Sequence, residues 1–373
     1  MTRLLIILLA GVSLLSCGGR QTPADREAGD TLVFRHARLI EVVRHQDFTE
    51  VNIKNPWKPG KMLHRYLLTT GSEVPEMSGH ATVVRVPLQR SVVFTSVHAA
   101  LIAQLGAQGQ VAGVADRKYM KVPFVIEGCR SGRLVDCGDG MSPVIEKIID
   151  AQADAILLSP FENSGGYGRL EDIRIPLIEC AEYMEQTPLA RAEWMRFYGL
   201  LYGCGQRADS LFDAVENSYQ ALAEMAKTTA EQPTVLMDKQ TGSVWYVPGG
   251  QSTIGRMLSD AHCRYPFAND DHSGSLPLPF ETILERCGDC DVWLLRYDSS
   301  EPLTMQQLLS EQAGYKELRP VRNGQVYGCN VQTSMFYEES PFRPDLLLQD
   351  FIHILHPDIP NLLPLRYYEK VKE

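Results

Sequence analysis

The chain has 373 residues, 44% of them hydrophobic and 22% charged, with a formal net charge of −10. This is a globular composition on a chain long enough for two lobes. No basic tract is present, which argues against nucleic acid as a partner, and no apolar run beyond the N-terminus is long enough to span a bilayer.

The N-terminus opens with one positive charge, Arg3, followed by the apolar run Leu4 to Ala10. This is the form of a secretory leader, too short for a stable membrane span. Leu14-Leu15-Ser16-Cys17 resembles the lipobox of bacterial lipoproteins. The resemblance implies cleavage after residue 16 and acylation of Cys17, with the acyl chains holding the protein at a membrane. Residues 17–30 are polar, lack apolar periodicity and read as a tether. The mature protein is therefore expected on the periplasmic or envelope side, lipid-anchored.

Residues 31–79 predict a β-rich extension. Ala37 to Val43 and Leu63 to Leu68 are strand-like, separated by the turn-rich Asn55 to Gly60. From Thr82 to Cys180, strands alternate with helices. Ser91 to Phe94, Val111 to Ala115, Ala155 to Leu158 and Leu177 to Cys180 read as strands, and Val97 to Leu105 and Pro143 to Ala151 as helices. Such alternation predicts parallel pairing with right-handed crossovers.

A long helical stretch follows, Pro188 to Thr228. Thr187 is placed to cap it, and Gly203-Cys204-Gly205 should break it. In its second half Leu211, Phe212, Val215, Tyr219, Leu222 and Ala226 form one stripe at helical spacing. Residues 206–227 would make a rod of about 33 Å. The alternation then resumes, with strands at Thr234 to Met237, Val244 to Val247, Val292 to Leu295 and Gln325 to Tyr327. Helices fall at Ser252 to Asp260, Phe280 to Cys287, Leu303 to Leu309 and Pro344 to Leu355. The expected class is α/β: two Rossmann-like lobes, 31–186 with the β extension and 233–373, joined by a helical linker at 187–232.

Eight cysteines remain besides Cys17. Outside the cytoplasm they can pair, and Cys129 with Cys137, which bracket a Gly-rich turn, is the first pair to consider. Cys287-Gly-Asp-Cys290 has redox or zinc spacing, but it stands alone and precedes a strand, so a buried, structural role is the favoured reading.

Four segments, taken in order, resemble the helical-hinge class of periplasmic binding proteins, which serve ABC importers of ferric siderophores, haem and cobalamin. They are Ser91 to His98 entering a helix that ends Leu105-Gly106; Val111 to Ala115; Ile145 to Ile149 followed by Ala153 to Leu157; and Pro248 to Ser252 followed by Ile254 to Leu258. The resemblance spans about Val83 to Pro357. It implies a monomeric, non-enzymatic substrate-binding component with no resident cofactor. Such a protein would capture a metal chelate between its lobes and deliver it to a permease dimer. It further implies that one glutamate per lobe, at Glu146 and Glu281, docks on that permease. Each follows a proline closely and is expected in a first helical turn.

In such folds ligands bind at the C-terminal ends of strands. That points to Thr95, Ser96, His98, Phe161, Glu162 and Asn163 on the first lobe, and to Trp245, Tyr246, Gln251, Ser252, Phe336 and Tyr337 on the second. Of the adjacent pair Trp245 and Tyr246, one should face the core. A zinc- or manganese-binding protein of the same fold is an alternative, with His98 and Glu162 as ligands, although no His-rich loop is present. A surface hydrolase is a weaker one, since no Gly-x-Ser-x-Gly or His-Glu-x-x-His occurs.

Overall fold

Alternate residues of the entry segment turn to one side: Val42, Val51, Ile53 and Tyr66 are fully buried. The computed structural model describes residues 29–71, 80–162 and 166–373, so Cys17 and Asn163 lie outside the described residues. Five strands make the extension sheet in the order β1-β2-β3-β4-β5. They are β1 (Asp30–Leu32), β2 (Ile40–Arg44), β3 (Thr49–Lys54), β4 (Met62–Thr69) and β5 (Thr82–Arg85). Pairing is antiparallel except between β4 and β5, which run parallel. The sequence reading gave two strands here and missed β3 between them.

The first lobe is built on a parallel sheet in the order β12-β11-β6-β7-β8. Its elements are β6 (Ser91–Val93), α1 (Ser96–Gln104), β7 (Val111–Val114), α2 (Pro123–Arg130), β8 (Val135–Asp136), a small hairpin β9 (Gly138–Asp139) and β10 (Ser142–Pro143), α3 (Ile145–Asp150), β11 (Ala155–Leu158), α4 (Arg169–Asp172) and β12 (Leu177–Glu179). All four residues of both β7 and β11 are buried. Such apolar runs are what a parallel sheet covered on both faces requires.

The linker is three helices: α5 (Pro188–Glu193), α6 (Met195–Tyr202) and α7 (Gly205–Lys227). Thr187 caps α5 by accepting the Ala190 N–H at 3.1 Å. Gly203 ends α6 at φ +69°, a conformation that costs a residue with a Cβ and costs glycine nothing. Phe212, Val215, Tyr219, Leu222 and Ala226 of α7 are buried, as the stripe predicts. The rod packs on α6 and on α13 (Pro344–Leu355), and the Tyr219 hydroxyl donates to Asp260 of the second lobe at 2.6 Å. At its other end Arg207 donates to the Gln104 carbonyl of α1 in the first lobe, at 3.0 and 2.8 Å, so the rod contacts both halves. Each large side chain in that stripe contributes roughly 1.5–3 kcal/mol by leaving water.

The second lobe has β13 (Val235–Met237), β14 (Gln240–Thr241), β15 (Val244–Pro248), α8 (Thr253–Asp260), β16 (Ser275–Leu278), α9 (Phe280–Cys287), β17 (Val292–Tyr297), α10 (Met305–Glu311), α11 (Arg319–Arg322), β18 (Val326–Asn330), α12 (Phe336–Glu339), α13 and β19 (Tyr368–Lys370). Its main sheet runs β13-β17-β18-β19, parallel except at β19. The strand at Val244 is not part of that sheet. It sits in a separate antiparallel layer, β14-β15-β16. The mixed α/β class with two lobes, a helical linker and a β-rich extension is the one expected.

All eight described cysteines are free thiols, Cys129 and Cys137 included. Cys287 and Cys290 are buried at the C-terminal end of α9. That is the opposite end from the one that would activate a thiol.

Candidate functional site: loops at the strand ends of two lobes

The C-terminal ends of β6, β7 and β11 deliver three loops of the first lobe. Those of β13, β17 and β18 deliver three of the second. The lobes touch along this side: α1 packs on α12, and the Lys121 ammonium donates to the Val331 carbonyl across the junction.

On the first lobe Thr95 is engaged as the N-cap of α1, accepting the His98 N–H at 3.2 Å. Ser96, first in the helix, is half-buried and Phe161 is exposed. Glu162 is also exposed. His98 does not face a cleft. Two positions further along the helix than Ser96, its ring points inward and is fully buried. Its Nε2 bonds Glu182 Oε1 at 3.2 Å, and its ring lies 5.6 Å from that of Tyr198. The position after the strand was read correctly, but the helical phase turns the imidazole into the junction between lobe and linker.

On the second lobe Trp245 and Tyr246 divide as adjacent strand residues must. Trp245 is fully buried, donates Nε1–H to the Met237 carbonyl at 2.9 Å and packs on Trp293, Phe280 and Tyr315. Tyr246 is 48% exposed. Ser252 is consumed as the N-cap of α8: its hydroxyl accepts the Gly255 N–H at 3.0 Å and donates to the Gly249 carbonyl at 2.6 Å. Gln251 accepts from Arg256 at 2.6 Å. Phe336 is buried against Tyr337 and Tyr367, leaving Tyr337 exposed. Trp245, Ser252 and Phe336 are therefore structural in this state, and Tyr246 and Tyr337 are the aromatic surfaces on offer. The Gly249-Gly250 pair serves close packing. A Cβ on Gly249 would fall 2.2 Å from the His272 carbonyl oxygen, and one on Gly250 2.3 Å from that of Ala268.

One feature of these loops went unread in the sequence. Asp238, the residue directly after β13, holds φ +58° and forms a bidentate pair with Arg296 near the end of β17, at 2.7 and 2.6 Å. Burial works to lower the Arg296 pKa, but the Asp238 charge and hydrogen bonds more than offset it, so the guanidinium is held firmly protonated. Position alone could have flagged Asp238, since it stands at the C-terminal end of its strand, within one residue of where Thr95 stands after β6. Arg296, inside a strand-like run, gave no such signal.

Glu146 is the second residue of α3 and Glu281 the second of α9, so both stand in a first helical turn as expected. Both are exposed. The Glu146 carboxylate is held below its ordinary pKa, first by a hydrogen bond from its own N–H and then by Arg169 at 3.1 Å.

Two cavities lie elsewhere and both reach His64 and Thr82: one of about 520 Å³ lined by the extension alone, and one of about 490 Å³ at the seam between extension and first lobe. There His64 bridges Thr82 at 2.7 Å and Glu179 at 2.9 Å, while Tyr167 donates to Glu179 at 2.7 Å. These groups satisfy one another and tie the extension to the lobe. Among the described residues no three His, Cys, Asp or Glu side chains are grouped as a metal site.

The family model described as "Periplasmic binding protein" matches residues 92–333, which span both lobes and the linker, and the chain belongs to that family. Over 358 residues it is 24% identical to an uncharacterized lipoprotein of Methanocaldococcus jannaschii, covering 89% of this chain and 84% of the relative. Among solved structures it is similar to a periplasmic binding protein from Veillonella parvula (TM-score 0.59, 14% identity, 90% of this chain and 98% of the other). It is also similar to a periplasmic heme-binding protein from Pseudomonas aeruginosa (TM-score 0.60, 16% identity, 76% and 99%).

Proposed function

We propose that this periplasmic binding protein captures a metal chelate, such as a ferric siderophore, haem or cobalamin, between its lobes and passes it to the permease of an ABC importer. The observation that carries the reading is the family match running without interruption through first lobe, rod and second lobe. It is supported by a rod that bonds Gln104 of the first lobe through Arg207 and Asp260 of the second through Tyr219, which limits the hinge and favours a largely preformed slot. Phe161 beyond β11 and Tyr337 beyond β18 offer exposed flat apolar surface on the two lobes, and Tyr246 adds an exposed ring on β15 of the second lobe's antiparallel layer, suited to a large chelate.

In this reading Glu146 and Glu281 are the docking carboxylates. One exposed acid at the head of a helix on each lobe suits two copies of a basic receptor pocket and fixes orientation. Cys17 is the acylated residue, in keeping with the lipoprotein name of the relative.

Titration of the purified chain with ferric siderophores, haemin and cyanocobalamin, read by quenching of tryptophan fluorescence, tests the function. Saturable binding of one chelate, with no response to bare zinc or manganese, is expected. Binding of bare divalent metal alone, or turnover of simple esters, would refute it.

A further inference from the structure

The Cys287-Gly-Asp-Cys290 segment has no part in capture or docking, yet its geometry is specific. It joins the foot of α9 to the start of β17 through a turn, in which the Cys290 N–H donates to the Cys287 carbonyl at 3.0 Å. A turn closed in this way keeps its end Cα atoms within about 7 Å, and a disulfide needs about 4.4–6.8 Å. The turn is held from outside as well. The N–H of Arg319, first residue of α11, donates to the Gly288 carbonyl at 2.7 Å, and its guanidinium donates to the Asp289 carbonyl at 3.2 Å.

Both thiols turn into the core, Cys287 being 1% and Cys290 3% exposed, and there they meet: the Cys290 thiol donates to the Cys287 sulfur. Elsewhere the thiols find other groups. Cys137, Cys180 and Cys263 donate to carbonyls at 3.8, 3.6 and 3.1 Å. Cys329 lies 3.7 Å from the Ser334 hydroxyl, and Cys129 meets the Arg117 guanidinium. Zinc would need further ligands beside the pair, and among the described residues no three His, Cys, Asp or Glu side chains are grouped to supply them.

We infer that Cys287 and Cys290 close a disulfide in the exported protein, stapling the foot of the helix that carries Glu281 to the start of β17. The family is described as periplasmic, and that compartment is oxidising. One cysteine of the pair, as its thiolate, attacks a sulfur of an external disulfide, carried by a protein or small-molecule oxidant of the envelope, and displaces the other sulfur as a thiolate. The second cysteine thiolate then attacks the first cysteine's sulfur in the mixed disulfide and releases the oxidant's remaining thiolate. The pair gives up two electrons and two protons, and the oxidant leaves as two thiols. Because both sulfurs are buried in the finished fold, the exchange belongs to the stage before α9 packs.

The test uses the full chain expressed with its own leader and recovered from the envelope fraction. Free thiols are blocked with iodoacetamide under denaturing conditions, and the chain is cut with trypsin. Cleavage after Arg286 and Arg296 releases one peptide, Cys287 to Arg296, that holds both cysteines and no other. It is expected unlabelled, lighter than the dithiol by two hydrogens, and open to labelling at both sulfurs only after reduction. Two labels without prior reduction, or a link from either cysteine to another peptide, would overturn the inference. Reduction should lower the melting temperature of the unaltered chain by about 2–4 °C and leave that of the Cys287→Ser, Cys290→Ser variant unmoved. Equal melting temperatures for the oxidised and reduced chain would overturn the stapling role.

Discussion

The carboxylate of Glu193, fully buried on α5, accepts the backbone N–H of Ala37 at 2.9 Å. Its two oxygens also take the N–H groups of Arg35 and His36, both at 2.8 Å. The next two amides, Arg38 and Leu39, go to Glu185, at 3.0 and 2.9 Å. Five consecutive backbone donors of the extension thus close on two carboxylates, Glu185 at the end of the first lobe and Glu193 of the linker. Replacing Glu193 by alanine removes an acceptor from three of them, and about 2–4 kcal/mol of stability should go with it. Urea denaturation would measure the loss. A change below about 0.5 kcal/mol would mean that water replaces the carboxylate without cost.

Trp245 and Tyr246 are neighbours with opposite surroundings, and their alanine variants should separate fold from binding. Trp245→Ala empties a site walled by Trp293, Phe280 and Tyr315 and should cost about 3–5 kcal/mol. Tyr246→Ala should leave the melting temperature nearly unchanged and weaken chelate binding by about 1 kcal/mol, roughly fivefold. Thermal melts and titrations on the two variants check both statements.

Buried acids make stability depend on pH in a direction that can be worked out. Burial pushes up the carboxyl pKa of Glu338, one of whose oxygens has no protein partner. Its folded-state pKa therefore lies above its unfolded one. The folded state binds the proton more tightly, so this group's contribution is fully present below the ordinary carboxylate range and is lost as pH rises through the raised value. Glu338→Gln should stabilise the protein at neutral pH by about 1 kcal/mol and leave that part of the profile flatter. Melting temperatures of both proteins across about pH 4 to about pH 8 would show it. Equal shifts at every pH would assign the effect to packing.

The docking roles predict a separation of phenotypes. Glu146→Ala combined with Glu281→Ala should abolish uptake in cells and leave chelate affinity unchanged, because both side chains are exposed at helix starts. The single variants should each retain partial uptake. A fall in affinity would place these residues in the pocket or the fold.

Much of the architecture was legible because it rests on periodicity. The apolar runs of β7 and β11, the buried stripe of α7 and the break at Gly203 all follow from spacing and from residue types with one dominant conformational preference. Strand β3 was missed because Glu50 and Asn52 are themselves buried, so Thr49 to Lys54 reads as polar where the fold treats it as interior. The site was legible only to the level of loops. Whether a side chain faces outward depends on its phase, which separates Ser96 from His98 two positions along α1 and Tyr246 from Trp245 one position along β15. Pairings such as Asp238 with Arg296 join residues 58 apart in sequence, and no local signal reports them.

The attachment of the extension has a mechanical consequence. Just ahead of the five clamped amides, the Val33 carbonyl accepts from Arg196 of α6 at 2.8 Å, so the path from Gly29 reaches the linker helices within a few residues. A load applied at that end of the chain is taken up first by α5 and α6, before it reaches the strands that His64 and Tyr66 tie to the first lobe.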